Sequence, residues 1–193
     1  MDKNNTAILL IEFQKTWTEK GIFYKIIKKE YLSRKVLANT KKLISSARKN
    51  GIKVIQAPLI LDKADKGRYK KTPFPARLLK RFTKGTWKAE FTDGIYEKTD
   101  IVVTGRCGFD ACEGSDLEEL LKENRIQNIY VCGFTTDHCV KETMNSLISK
   151  GFNCIMVSDC TATKNNKLQK KIEAEFETVL SKEVFQNNPA EKY

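Results

Sequence analysis

Cys139 is the residue of this chain whose type and position best suit covalent chemistry. It follows an apolar segment ending at Cys132, a turn that contains Gly133, and the threonines Thr135 and Thr136. This order places Cys139 in the first turn of a predicted helix, where unpaired N–H groups and the helix dipole lower the pKa of a thiol. The same N–H groups can stabilise an oxyanion. A nucleophilic cysteine is one interpretation, and a small buried residue is the other.

Glu12 and Arg106 are charged residues that follow predicted strands. Glu12 ends the apolar segment 6–12, where a carboxylate is costly unless it is paired or hydrogen-bonded. It is either a general base that takes the thiol proton and returns it to a leaving group, or half of a structural ion pair. Arg106 either pairs with Glu12 and holds Cys139 as the thiolate, or lies on the surface beside a turn.

Alternating strands and helices would position these residues. The predicted strands are 6–12, 52–57, 100–104, 129–132 and 153–157, and the predicted helices are 31–50, 115–124, 136–150 and a segment marked by Leu168, Ile172 and Phe176. This alternation predicts an α/β fold: a single-domain, doubly wound parallel sheet of five or six strands with helices on both faces. Ligands bind beyond the carboxyl ends of such strands, where Glu12, Arg106, 133–136 and 158–160 fall.

Several local features refine this prediction. Apolar spacing predicts that Leu32 and Ile148 face the core, and Ser115 and Glu118 have the spacing of a capping box. The long basic connection 61–99 is typical of a lid or binding loop, and its lysines and arginines favour an anionic substrate if it covers the site. The tail 187–193 is expected to be loose.

Length and composition exclude several classes of protein. The 193 residues suit one domain, 1–193, and 40% hydrophobic with 31% charged residues is typical of a globular chain. No apolar run approaches the roughly 18 residues of a membrane helix, and no signal-peptide pattern opens the chain. We therefore expect a cytoplasmic protein without a membrane partner. The six cysteines are expected to be thiols, and the single His138 with no close cysteine pairs predicts no metal site and no cofactor.

The positive charge is concentrated in the first half of the chain. The net charge is +11, and residues 1–89 hold 23 Lys and Arg against 6 Asp and Glu. Such a bias is found in nucleic-acid-binding proteins and in proteins that bind anionic substrates. The lysines are scattered and no basic–aromatic RNA motif is present, so solvated helix faces are favoured and a nucleic-acid partner is not expected.

Five segments resemble, in order, the motifs of isochorismatase-like cysteine hydrolases. They are 7–14 (AILLIEFQ), 85–91 (GTWKAEF), 110–117 (DACEGSDL), 133–143 (GFTTDHCVKET) and 158–162 (SDCTA). Because these matches follow one another over about residues 6–165, the chain is identified as a member of that family.

The resemblance implies hydrolysis of an amide-type C–N bond of a small molecule through a Cys thioester. The family uses an Asp–Lys–Cys triad, which here falls on Glu12, Arg106 and Cys139. Both departures keep the charge, but glutamate is one methylene longer and arginine cannot readily lose its proton. A catalytically silent relative that serves as a binding or scaffold module is the alternative.

The resemblance also assigns further residues. It implies a non-proline cis peptide at Phe134–Thr135, which would aim the N–H groups of Thr135 and Cys139 at the substrate oxygen as an oxyanion hole. Apart from the resemblance, we expect Phe13, Gln14, Trp87 and Phe134 at the substrate, because apolar side chains commonly line such pockets; core packing is the alternative for Phe13 and Trp87. Nicotinamidases of the family hold a metal through an acid and histidines after the second strand, but 56–62 (QAPLILD) has no histidine, so that activity is not expected. Relatives are commonly oligomeric, which predicts a homo-oligomer.

Overall fold

The described part of the chain forms a sheet of six parallel strands. The computed structural model describes residues 2–62, 64–67 and 82–186. The strands are β1 (Thr6–Ile11), β2 (Lys53–Ala57), β3 (Ile101–Val102), β4 (Asn128–Phe134), β5 (Asn153–Ala162) and β6 (Thr178–Val179). Their order is β3-β2-β1-β4-β5-β6. The strand order reverses beside β1, which makes the carboxyl end of β1 a topological switch point where ligands bind in such sheets.

Helices cover both faces of this sheet. They are α1 (Lys15–Thr18), α2 (Ile22–Ser33), α3 (Val36–Lys49), α4 (Leu117–Glu123), α5 (Lys141–Ser149) and α6 (Asn166–Glu173), with a 3-10 turn at Trp87–Ala89 and a π-helix at Thr136–Val140. Ile8 and Leu10 of β1 pack in the cluster with α2 and α3, whereas Leu9 and Ile11 pack in the cluster with α4 and α5. The predicted doubly wound α/β sheet is thereby confirmed.

The helix predicted over 31–50 is two helices. Arg34 and Lys35 separate α2 from α3, and Lys35 has a left-handed φ of 54°. Leu32 therefore follows the phase of α2, whose buried residues are Ile27, Glu30 and Tyr31. The expectation that Leu32 faces the core is wrong, because 53% of the residue is exposed.

Other boundaries also differ from the predicted ones. Strand β3 is shorter than 100–104, and β5 continues to Ala162 because its pairing with β4 shifts register between Val131 and Gly133. Residues 158–160 therefore lie within β5 rather than beyond it. Ile148 is 46% exposed, so its predicted burial is wrong.

The predicted capping box at α4 does not form. The helix begins after Asp116, whose carboxylate accepts hydrogen bonds from the N–H and hydroxyl of Thr104. Glu118 instead pairs with Lys122 and Lys150. The Ser115 hydroxyl accepts from the Leu117 N–H and donates to the Ala111 carbonyl.

Some expectations fall outside the described residues. Residues 63 and 68–81 of the predicted lid and the tail 187–193 are among them, so the lid and the loose tail stay predictions. Within the ranges that are described, no helix has the length and apolar character needed to cross a membrane.

Alkaline pH is expected to destabilise the fold. Burial raises the pKa of Tyr31 from 10.0 to about 12 and that of Cys112 and Cys154 from 9.0 to about 12. The folded state therefore holds these protons more tightly than the unfolded chain, and its stability falls as the pH rises from 9 towards 12. Urea unfolding across this range measures the loss. The Cys112→Ala/Cys154→Ala variant should lose less stability over the same range, and an equal loss would contradict this explanation.

Candidate active site

Glu12, Arg106 and Cys139 come together at the carboxyl edge of the sheet. Glu12 directly follows β1 and has a left-handed φ of 56°, Arg106 lies beyond β3, and Cys139 lies in the π-helix that follows β4. The residues are 1%, 3% and 4% exposed, respectively. The proximity predicted from strand ends is therefore present, and all three groups are removed from solvent.

A close approach between β1 and β4 sets this arrangement. Gly133 of β4 pairs with Ile11 of β1, and a Cβ on Gly133 would lie only 2.1 Å from the Ile11 carbonyl oxygen. Gly133 also has a φ of 136°, a backbone conformation that glycine adopts readily. The glycine thus allows the acid after β1 and the cysteine turn after β4 to sit side by side.

Arg106 is fixed by its whole guanidinium group. Its Nη2 atom donates to Glu12 Oε1 at 2.6 Å and to the Phe109 carbonyl at 2.8 Å. Its Nη1 atom donates to the Ala57 carbonyl at 3.0 Å, and Nε donates to the Gly108 carbonyl at 3.2 Å. Burial disfavours the charge, but Glu12, together with Cys139 when its sulfur is anionic, more than offsets burial and raises the pKa of Arg106. The guanidinium is thus a permanent, immobile cation.

The Cys139 thiol lies close enough to Glu12 and Arg106 for both side chains to shift its pKa. Burial raises the pKa of this thiol well above its ordinary value, Glu12 raises it further, and Arg106 does not offset them. The expectation that the helix start lowers this pKa is wrong. The resting residue is a thiol, because burial and the nearby carboxylate outweigh the guanidinium.

Trp17 is a member of the site that sequence reasoning missed. Its indole Nε1 donates to Glu12 Oε2 at 2.8 Å. The ring stacks on Phe23 at a centroid distance of 4.6 Å and faces Phe134 at 6.2 Å. An indole five residues after a buried acid was the available signal, but only the short α1 helix turns the ring back towards that acid.

The residues around the cysteine turn adopt the expected backbone. The Phe134–Thr135 peptide is cis, as the resemblance implied. The Thr135 carbonyl accepts from the N–H groups of His138 at 3.2 Å and Val140 at 3.1 Å, the latter a π-type bond. Use of the Thr135 and Cys139 N–H groups as an oxyanion hole stays a prediction.

Comparison with known proteins identifies the family. The model described as the isochorismatase domain matches residues 6–183. The chain belongs to the isochorismatase family. It is 43% identical over 49 residues to an uncharacterized isochorismatase family protein, YrdC, of Bacillus subtilis. The aligned region covers 25% of this chain and 26% of that protein. It is 25% identical over 161 residues to N-carbamoylsarcosine amidase of Arthrobacter sp, which covers 79% of this chain and 58% of the amidase. The chain therefore spans less than two thirds of each relative.

The fold of this isochorismatase-family chain also has solved counterparts. The crystal structure of a cysteine hydrolase from Pseudomonas syringae pv. phaseolicola 1448A matches it with a TM-score of 0.82 and 20% identity, and the match covers 96% of this chain and 93% of that one. At this identity the likeness supports the architecture, which agrees with the six-stranded sheet described above.

The four side chains expected at the substrate have differing surroundings in this family member. Gln14 Nε2 donates to the carbonyls of Leu59 and Ala89, and its Oε1 accepts from the Leu59 N–H, so the backbone engages both ends of its amide. Phe13 and Phe134 pack against each other at 4.8 Å in the core. Trp87 is half-buried, with Lys20 Nζ 5.0 Å from its ring. Substrate contact by these residues stays a prediction.

A cavity of about 300 Å³ adjoins Arg106. It lies at the carboxyl ends of β2 and β3, and a volume of this size suits a small molecule. Asp62 and Lys84, which line this cavity, form an ion pair with 2.8 Å between Lys84 Nζ and Asp62 Oδ2. The cavity is lined by Pro58, Ile60, Leu61, Asp62, Asp65, Lys84, Val102, Val103, Thr104, Gly105 and Arg106.

The segment after β2 does not suit a nicotinamidase-type metal. Asp62, an acid of this segment, is hydrogen-bonded to Lys84, which lowers the pKa of Asp62. In the part of the chain that the structure describes, no three His, Cys, Asp or Glu side chains gather where they could hold a metal ion.

Gln169 ties the cysteine turn to α6, and its loss is expected to be costly. Its Oε1 accepts from the Thr136 hydroxyl at 2.9 Å and the Thr163 N–H at 3.0 Å, and its Nε2 donates to Thr161 and Glu173. Gln169→Leu leaves these buried groups unpaired, which we expect to reduce the free energy of unfolding by about 2–4 kcal/mol. Urea denaturation measures this loss. The matched Lys167→Leu substitution, at an exposed position of α6, should have little effect, and an equal loss from both would contradict the role.

Proposed function

We propose that this chain hydrolyses an amide-type C–N bond of a small molecule through a thioester on Cys139. The observation that carries the proposal is the meeting of a thiol, a carboxylate and a guanidinium in one buried cluster at the strand ends. Membership of the isochorismatase family supports hydrolysis, and the relation to N-carbamoylsarcosine amidase supports a C–N bond as the target. The cavity beside Arg106 has room for a small compound; Arg106 lines it, whereas Glu12 and Cys139 do not.

The first half-reaction begins from the protonated thiol. Because the pKa of Cys139 is raised, Glu12 must take the thiol proton as the sulfur attacks the carbonyl carbon. The N–H groups of Thr135 and Cys139 receive the oxyanion of the tetrahedral intermediate. When the C–N bond breaks, Glu12 returns the proton to the leaving nitrogen, which leaves a thioester on Cys139 and a free amine.

The second half-reaction restores the enzyme. Glu12 takes a proton from water as the oxygen attacks the thioester carbonyl, and the C–S bond then breaks. The proton passes from Glu12 to the sulfur, which regenerates the thiol and releases the acid product. Arg106 stays charged throughout, because its pKa is raised, so it acts by orienting Glu12 and stabilising anionic sulfur.

Trapping of the acyl-enzyme tests this function. The protein is incubated with a panel of small amides and carbamoyl compounds, quenched in acid and digested, and the adduct is mapped by mass spectrometry. We expect product formation and an acyl group on Cys139, with both lost in Cys139→Ala and retained in Cys112→Ala. Turnover that survives Cys139→Ala, or an adduct on another residue, would defeat the proposal.

The burial of the site favours one alternative. Cys139 is 4% exposed and its pKa is raised, and two triad positions carry other residues than the family pattern. A catalytically silent relative would bind small molecules at this site without bond cleavage. Calorimetric binding of an amide that is never hydrolysed would favour this reading. A homo-oligomer, a cytoplasmic location and a single domain over 1–193 remain predictions.

A further inference from the structure

The Glu12 carboxylate is held by two groups that can only donate hydrogen bonds. Oε1 accepts from Arg106 Nη2 at 2.6 Å, and Oε2 accepts from Trp17 Nε1 at 2.8 Å. Neither a guanidinium nor an indole N–H offers an acceptor atom. A proton that arrives on Glu12 therefore cannot pass to Arg106 or Trp17. The sulfur of Cys139, which lies close enough to Glu12 for the carboxylate to shift its pKa, is able to accept it.

The indole of Trp17 is held in place independently of Glu12. Its backbone N–H donates to the Gln14 carbonyl at 2.9 Å in the short α1 helix. Its ring lies 4.6 Å from that of Phe23 with a 20° angle between the planes, and 6.2 Å from that of Phe134 with a 25° angle. Only 8% of Trp17 is exposed. The direction of its N–H is thus set by the core before any proton moves.

We infer that Trp17 is a positioning residue for the proposed reaction: its indole N–H orients the Glu12 carboxylate so that, in the first half-reaction, the proton travels from the Cys139 sulfur to the leaving nitrogen. This inference rests on the proposed function. In the first step the S–H bond breaks and an O–H bond forms on Glu12. In the second, that O–H bond breaks as an N–H bond forms on the leaving amine, and no electrons are exchanged with an outside reagent.

Trp17→Phe tests this role because it keeps an aromatic ring for the stack and removes the N–H. Loss of the donor leaves the Glu12 carboxylate free to turn away from the Cys139 sulfur. We expect kcat to fall about 10- to 100-fold with little change in KM, because the lost contact is not to substrate. The rate of Cys139 alkylation by iodoacetamide at a fixed pH should fall by a similar factor without any amide substrate.

Tyr31→Phe is the matched control, because it removes a polar group from another buried ring that packs on Phe134 and leaves the Trp17 N–H in place. Its kcat and its alkylation rate should equal those of the wild type. Benzothienylalanine at position 17, which replaces the N–H by sulfur within the same ring shape, repeats the test without disturbing the core. Wild-type kcat and alkylation rates in both position-17 variants, or an equal fall in Tyr31→Phe, would overturn the inference. If the wild type hydrolyses no amide, the proposed function fails, while the alkylation rates still decide the role of Trp17.

Discussion

Glu12→Gln is expected to stop turnover and to destabilise the fold. The substitution keeps the shape of the side chain but removes the base, and general acid–base catalysis contributes about 10²- to 10⁴-fold to a rate. It also leaves the Arg106 guanidinium without its counter-charge. This is costly because both side chains are only 1% exposed. Breaking one partner of a buried pair costs about 3–5 kcal/mol. Steady-state kinetics and urea unfolding measure the two losses separately.

A second substitution separates the two losses. In Glu12→Gln/Arg106→Met no buried charge is left unpaired, so most of the lost stability should return while turnover stays absent. The wild type, the two single variants and the double variant form a double-mutant cycle. Their unfolding free energies should be strongly non-additive. Additive losses of unfolding free energy would mean that Glu12 and Arg106 do not form a buried ion pair shielded from water. The exposed pair Glu118–Lys122 is the control, and Glu118→Gln should leave turnover unchanged.

The position of the site could be predicted from sequence because it depends on strand ends. An apolar run places Glu12 at the end of β1 whatever the exact bounds of that strand, and the same is true of Arg106 beyond β3. The carboxyl ends of parallel strands share one edge, so the three residues had to approach one another. The predicted bounds of β3 were wrong by one or two residues, but Arg106 still follows this strand at the same edge of the sheet.

Features that depend on tertiary contacts could not be predicted in the same way. The pKa of Cys139 follows from its burial and from the distance to Glu12, neither of which is contained in its position at a helix start. The hydrogen bond of Trp17 depends on how α1 turns after β1. The orientation of Leu32 depends on the left-handed Lys35, a conformation that residue type alone does not favour.

Arg106→Lys is the second prediction with a large expected effect, because it restores the residue type of the family pattern in a site built around arginine. A lysine presents one compact charge to Glu12 but cannot reproduce the fork that also reaches the carbonyls of Ala57, Gly108 and Phe109. The carboxylate loses its fixed orientation, and a misplacement of about 1 Å can cost 10²-fold in rate. We expect kcat to fall by about that factor, as measured by steady-state kinetics.

The pH profile distinguishes this electrostatic loss from general damage. Arg106 has a raised pKa and keeps its charge, so the wild type should show no alkaline fall in rate from this group. Lysine can lose its proton as the pH rises, and the cation that stabilises anionic sulfur then disappears. An alkaline limb should therefore appear in Arg106→Lys. Arg48→Lys, which alters an arginine paired with Asp100 and Glu97, should keep the wild-type profile. An alkaline limb in both variants, or in neither, would show that the charge of Arg106 does not act on the reacting sulfur.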